Sequence, residues 1–536
     1  MGTLWHGGNI YTMIKENDRI DAIFSKNGKI IEVGKKSYLL SKYEQQINKS
    51  VDLKGSTLLP GLVDSHMHVI GHGEKLLRLD FSEMHKAEDI LVAIQKRVPY
   101  LQQDEWIIGE GWNENQLENN RIIHKTELDE IAPNHPILLK RICRHAMIVN
   151  SKAMELAGIT RETPDPTGGV IVRDHLGEST GYLLDKAQDL IYSITPSVSK
   201  AYLENALELS IEDCYKNGLV GVHTEDLSYY GDLMKTLQAF ENVIQKKKFR
   251  AHLLVHHLVV DEFQGKSNSN TEFIEYGAMK IFADGALGGR TALLSKPYED
   301  APSTTGVAIH SEEILKDLIK KARDYNMEAA IHTIGDLAFE NVLDAVEANP
   351  PKKGQHDRLI HAQILRQDLI ERAKTLPIIL DIQPRFVATD FPWVIERLGK
   401  ERMKTCYPWK TLIEKGIHCA GGSDAPIEPI NPLLGIHAAV TRKSIHTPDE
   451  PGYGLNECLT TFQAVELYTK GSAYAIHKEQ ERGVIAPGFV ADFTVFNQDI
   501  FSIEDDKLMQ TEVNLTVIDG EIVYKRENKM KKAALT

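Results

Sequence analysis

His66 and His68 stand two residues apart after the apolar run Leu58-Leu59-Pro60-Gly61-Leu62-Val63. Alternate residues of a β-strand face one side, so both imidazoles point the same way and can hold one divalent cation at about 2.0–2.1 Å. An isolated His-x-His pair is as readily a packing feature as a ligand pair. Three further residues change that balance. His332 ends the run Glu328-Ala329-Ala330-Ile331, His361 ends Arg358-Leu359-Ile360, and Asp424 ends the stretch from Ile417 to Ser423, ahead of Ala425-Pro426. Each alone reads as a satisfied polar residue at a strand end. On parallel strands of one barrel they converge on the C-terminal mouth, and metal binding then explains them better.

The elements that must position these residues alternate strand and helix. Strands are expected at Leu58 to His66, Leu219 to His223, Arg250 to His256, Ala278 to Asp284, Met327 to His332, Arg358 to His361, Ile378 to Gln383 and Ile417 to Asp424. Eight strands separated by helices predict an α/β fold, a (β/α)₈ TIM-like barrel. Ser311, followed by Glu312 and Glu313, opens one helix, with Ile314, Leu315, Leu318, Ile319 and Ala322 on a single face. The stretch 70–215 interrupts the alternation with strand-like runs at Trp106 to Glu110 and Ile137 to Ile142 and a hairpin around Thr167-Gly168-Gly169-Val170. It reads as an insertion after the first strand that roofs the active site; the rival assignment places those runs in the barrel.

Both chain ends read as short strands. Asn27-Gly28 separates Asp21-Ala22-Ile23-Phe24 from Ile30-Ile31-Glu32-Val33, and Asp519-Gly520 turns Leu515-Thr516-Val517-Ile518 into Ile522-Val523-Tyr524. Neither end has enough apolar residues to stand alone, so the two are expected to combine into one small β-sandwich. The predicted organisation is residues 1–57 and 482–536 as the two parts of that sandwich, with 58–481 as the barrel.

Composition excludes several classes. With 42% hydrophobic and 26% charged residues, the 536-residue chain can bury a large core. A formal net charge of −14 disfavours nucleic-acid phosphates, and Lys246-Lys247-Lys248 reads as a solvated helix end. No run of about 18 apolar residues occurs, so no membrane span is expected. Cys143, Cys214, Cys406, Cys419 and Cys458 show no Cys-x-x-Cys spacing, as expected of reduced thiols. The opening MGTLWHGGNIYTM has no basic head before an apolar run, so a cytoplasmic location is expected.

Together, LPGLVDSHMH, HTIGD, the strand-end His361 and GGSDAPIEPINPL resemble the amidohydrolase superfamily. With MKIFADGALGGRTALL, RHAMIVNSKAMELAGI and QPRFVATD, they resemble its family-3 branch of N-substituted formamide deformylase-like enzymes over nearly the whole chain. The resemblance implies that His66 and His68 bind a first metal and that His332 and His361 bind a second. It implies that Asp424 contacts the first metal and shuttles a proton, and that Lys280, carboxylated by CO₂, bridges the two. A carbamate offers two oxygens where an ammonium has no lone pair. The alternatives are Lys280 as a substrate contact in a one-metal site, with Asp284 as the fallback ligand.

The expected cofactors are therefore one or two divalent ions, zinc first, and the expected partner is a small-molecule substrate, with a homodimer as the default assembly. The expected reaction is hydrolysis of a carbon–nitrogen bond in a non-peptide amide or formamide by metal-activated hydroxide. A mononuclear deaminase of a heterocycle and a barrel scaffold without chemistry are the alternatives. Weaker pocket candidates are Arg290, His145, Trp112, Gln383 and His223, each with a structural role as the competing reading.

Overall fold

A computed structural model describes residues 2–81, 84–101, 104–114, 117–118, 121–141, 146–195, 198–264, 271–391 and 393–527. His145 lies outside the described residues. The chain forms two compact units, Met1–Gly71 with Leu207–Thr536, and His72–Ala206.

The first unit contains the barrel. Its strands are β1 (Leu62–Met67), β2 (Leu219–Thr224), β3 (Arg250–His256), β4 (Ile274–Phe282), β5 (Ala329–Thr333), β6 (Asp357–His361), β7 (Ile378–Ile382) and β8 (Cys419–Gly421). They pair in sequence order from β1 to β8, every pair parallel. Parallel pairing needs a crossover between neighbours, and the intervening segments supply helices such as Leu233–Lys246, Glu312–Asp324 and Asp336–Ala348. Backbone hydrogen bonds from Asp424 N to His66 O (2.8 Å) and from His68 N to Ala425 O (2.7 Å) join the segment after β8 to β1. Because all eight strands run the same way, their C-terminal ends share one mouth.

Ser311 caps Glu312–Asp324, its hydroxyl accepting from Ile314 N, and Leu315, Ile319 and Ala322 are the buried face. Ile314, expected on that face, is exposed, while its neighbour Leu315 in the same turn is buried.

The chain ends share one hydrogen-bonded sheet, whose pivot is Thr57–Pro60. That strand lies parallel to Gly2–Tyr11 and antiparallel to Phe493–Phe496. Trp5, Ile10, Ile23 and Leu58 from one end pack with Phe493, Val495 and Val517 from the other. Both predicted hairpins form, with positive φ at Asn27 and Gly28 (51° and 76°) and at Asp519 and Gly520 (51° and 72°). Two consecutive left-handed residues define the type I′ turn that matches strand twist. The expected strand Leu58 to His66 is two strands. Gly61 is the crossing point between the sheet and the barrel, where a Cβ would come within 2.5 Å of Val220 Cγ2.

The second unit has its own six-stranded sheet, in the order Gly169–Arg173, Ser179–Asp185, Ala146–Val149, Ile137–Arg141, Ile107–Trp112, Leu79–Asp80. The strand-like runs of the insertion therefore belong to this sheet and not to the barrel. No helix among the described residues is long and apolar enough to cross a membrane.

Replacing Gly61 with Ala is expected to destabilise the chain by about 1–3 kcal/mol, because the β-branched Val220 cannot swing aside. Denaturant midpoints of the two proteins measure this, and equal midpoints would remove the packing constraint assigned to Gly61.

Candidate metal centre

The ends of β1 and β8 meet at Gly422, where a Cβ would lie 2.6 Å from His66 N and 2.8 Å from an Asp64 oxygen. This close approach needs glycine. The buried Asp64 carboxylate accepts from His66 N and Ser423 N, each at 3.1 Å, and so braces both segments. Asp424 then leaves the strand with φ 59°, turning its carboxylate towards the imidazoles. Asp424 Oδ1 lies 3.5 Å from His66 Nε2 and 3.6 Å from His68 Nε2. One ligand atom from each of these three side chains falls within 4.8 Å of the others.

The remaining polar residues of the mouth surround this trio. Lys280 is fully buried on β4, its Nζ 3.5 Å from His66 Nε2. His361 lies 5.6 Å from His66 and 4.5 Å from His332, ring centre to ring centre. The structure thus gathers His66, His68, Lys280, His332, His361 and Asp424 at one end of the barrel.

Hydrogen bonds select the tautomers of three rings. His361 Nδ1 donates to Gln383 Oε1 at 2.7 Å, leaving its Nε2 with a lone pair. His68 Nδ1 donates to the Glu225 carbonyl at 2.6 Å, and against its burial the hydrogen bond and charge of Asp424 push that ring up to about 9, so a cation at His68 Nε2 takes the place of a proton. His332 Nε2 donates to the Gly285 carbonyl at 3.1 Å, leaving Nδ1 as the acceptor. His66 Nδ1 is buried without a hydrogen-bond partner among the described residues. Four ring nitrogens and a carboxylate suit a divalent ion of the zinc type, so the donor set fits a metal.

The charges are tuned by burial. Burial opposes ionisation of Asp424, but the His68 hydrogen bond and the positive charges of His361, His68 and Lys280 hold its carboxyl below the usual range. Burial pushes Lys280 down to about 8, against the pull of Glu225, Asp424 and Asp381. Burial also drives His66 and His332 well below the ordinary imidazole value.

The other expected site residues have partners of their own. Trp112 is buried in the core of the second unit, where its indole donates to Leu139 O at 2.9 Å. Arg290 pairs through Nε and Nη2 with Asp300 on an exposed loop, so its guanidinium anchors that loop. Asp284, just beyond β4, stays at the mouth, with Oδ1 3.7 Å from His332 Nε2, and its carboxylate also accepts from Leu293 N, Ile334 N and Gly335 N at 2.8–3.0 Å, which holds the loop after β5. His223 accepts from Arg358 Nη2 at 3.2 Å and faces a cavity with Gly61, Val220, Arg250 and His252, towards the starting ends of the strands. Gln383 touches His361 directly. Sequence reasoning missed Glu225, Asp64 and Arg358, whose contributions run through a backbone carbonyl, two backbone amides and the carbonyl of Ser65.

Residues 49–524 match the amidohydrolase family. The chain is 55% identical over 528 residues to the protein named amidohydrolase YtcJ of Bacillus subtilis, covering 98% of this chain and 100% of that one. It is 27% identical to the N-substituted formamide deformylase of Arthrobacter pascens, with 97% of each chain covered. An uncharacterized metal-dependent hydrolase from Pyrococcus horikoshii superposes with a TM-score of 0.78 at 27% identity, covering 94% of this chain and 99% of that one. The chain belongs to the amidohydrolase family. It is a metal-dependent hydrolase of carbon–nitrogen bonds in small molecules.

Gln383→Leu would release His361 Nδ1 and let the ring rotate or change tautomer. Metal affinity is expected to fall about 10–100-fold, as for other residues that orient a ligand. Chelator competition reads this directly, and unchanged affinity would separate Gln383 from the centre.

Proposed function

We propose that this chain hydrolyses the carbon–nitrogen bond of a small non-peptide amide or formamide, with Asp424 carrying the proton. The meeting of Asp424 Oδ1 with the Nε2 atoms of His66 and His68 at 3.5 and 3.6 Å supports this reading most strongly. Zinc held by His66, His68 and Asp424, with a second ion on His332 and His361, would supply an acidified water and an electrophile for the substrate carbonyl.

Against its burial, the hydrogen bond with His68 and the electrostatic pull of His361, His68 and Lys280 favour the carboxylate form of Asp424. It accepts the proton of the attacking water and later delivers it to the departing nitrogen, as base and then acid. Gln383 and the Glu225 carbonyl hold His361 and His68 still while this proton moves.

Lys280 is proposed to be carboxylated. Its buried amine is neutral in an appreciable fraction near neutral pH, the form that adds to CO₂ with loss of one proton to give a carbamate. The two carbamate oxygens would face the two pairs of imidazoles. The tight trio of His66, His68 and Asp424 also supports a second reading, a one-metal deaminase with a bare Lys280. Ammonia as the released product would favour it; an amine released with formate or another acid favours the first.

Asp424→Asn and His66→Ala should each lower kcat by at least about 10²–10⁴-fold on a panel of N-substituted formamides and simple amides, with circular dichroism unchanged. Turnover retained in either variant would sink the assignment. Lys280→Ala should lose activity that added short carboxylates partly restore; indifference of both rate and metal content would remove Lys280 from the site.

A further inference from the structure

The opposite face of the barrel carries a second convergence of ligand-type side chains. Glu328 immediately precedes β5 and His356 immediately precedes β6, the two strands that bear His332 and His361. At a rise of about 3.3 Å per residue, four or five residues set the two ends roughly 13–17 Å apart. The third member, His477, follows the short helix Ser472–Tyr474 and has φ 57°, a left-handed conformation that histidine adopts more readily than most side chains.

The three groups are in contact. His477 Nε2 lies 2.6 Å from Glu328 Oε1, and the same oxygen accepts from the backbone N–H of His356 at 2.7 Å. The rings of His356 and His477 are 4.3 Å apart, and the parallel ring of Tyr474 lies 4.9 Å from His356. One ring nitrogen from each histidine and one Glu328 oxygen lie within 4.8 Å of one another. Among the described residues the one other group that meets this condition is His66, His68 and Asp424.

An ordinary ion pair between His477 and Glu328 would account for those two side chains. It leaves one nitrogen of His356 unpaired, although that ring also has a backbone hydrogen bond with Ala475. His356 is only 6% exposed, and its Nε2 is buried with no hydrogen-bond partner. Such an atom calls for a water or an ion as partner, and a ring nitrogen of His356 stands beside two further ligand atoms, which among the described residues sets it apart from the other unpartnered buried histidine nitrogens outside the mouth.

We infer that Glu328, His356 and His477 bind a second-site divalent cation of the zinc class at the N-terminal face of the barrel. Two imidazoles and a carboxylate suit zinc, and tetrahedral geometry leaves the fourth position to water. His477, with 39% of its side chain exposed, leaves a path for the ion and that water. The bound ion ties the segment after Ser472–Tyr474 to the starts of β5 and β6, joining residues 149 positions apart. It stands apart from the proposed reaction and uses none of its ligands.

The test is zinc content by elemental analysis of full-length protein after dialysis against buffered zinc. In a His66→Ala/His68→Ala variant, which removes the first ion of the mouth, adding His477→Ala or Glu328→Gln should lower the zinc content by about one further equivalent. Glu328→Gln keeps an acceptor for the His356 N–H, so its fold should survive. In the otherwise unaltered protein, His477→Ala should likewise hold about one equivalent less, which reads the site even if the double variant does not fold. Zinc content unchanged by both His477→Ala and Glu328→Gln would overturn the proposal and leave an ion pair beside a stacked histidine. Loss of zinc at the mouth alone would count against the proposed reaction and not against this site.

Discussion

The joint between β1 and the segment after β8 is the constraint on which the rest of the site depends. Two backbone hydrogen bonds, His68 N to Ala425 O and Asp424 N to His66 O, hold it, and the Asp64 carboxylate braces it from behind. Gly422 lets the two backbones approach until a Cβ would clash with His66 N. Because the joint closes the barrel, the residues at either side of it are forced to be neighbours although 356 positions separate His68 from Asp424. A base that must meet the ligands of one ion is thus placed by sheet closure, with no dedicated loop to hold it.

A second layer then orients what the barrel has gathered. His68 leans on a backbone carbonyl, His361 on Gln383 and His332 on the Gly285 carbonyl. Each contact protonates one ring nitrogen and so presents the other as a lone pair, which is the state a cation needs. Arg358 and Asp381, an ion pair buried inside the barrel, hold the layer below: Arg358 donates to Ser65 O, one residue before His66. Arg358 Nε donates to Asp381 Oδ2 at 2.8 Å, and the pair fixes the strand whose next residue must not move.

Much of this was legible in the sequence because strand-end residues announce themselves. His332 and His361 follow apolar runs, and parallel strands leave their C-terminal ends at one mouth. The hairpins at Asn27-Gly28 and Asp519-Gly520 were equally plain, since few dipeptides accept two positive φ values. Other features left no local trace. Gly61 divides an apolar run that reads as one strand, and only the packing of Val220 shows why. The packing of Trp112 in the core of the second unit and the ion pair of Arg290 with Asp300 likewise have no local signature. Asp284 has the right type and spacing for a ligand and lies beside His332, but its three bonds to backbone amides left no trace in the sequence. Carbonyl contributions such as that of Glu225 carry no residue signature at all.

The account's central claim is that His66, His68 and Asp424 share one cation at the C-terminal mouth. Anomalous diffraction at the zinc edge from crystals of the metal-loaded protein tests it most directly. The account predicts a peak bonded to Nε2 of His66, Nε2 of His68 and a carboxylate oxygen of Asp424. A fully loaded crystal with no anomalous peak among those three atoms would contradict it.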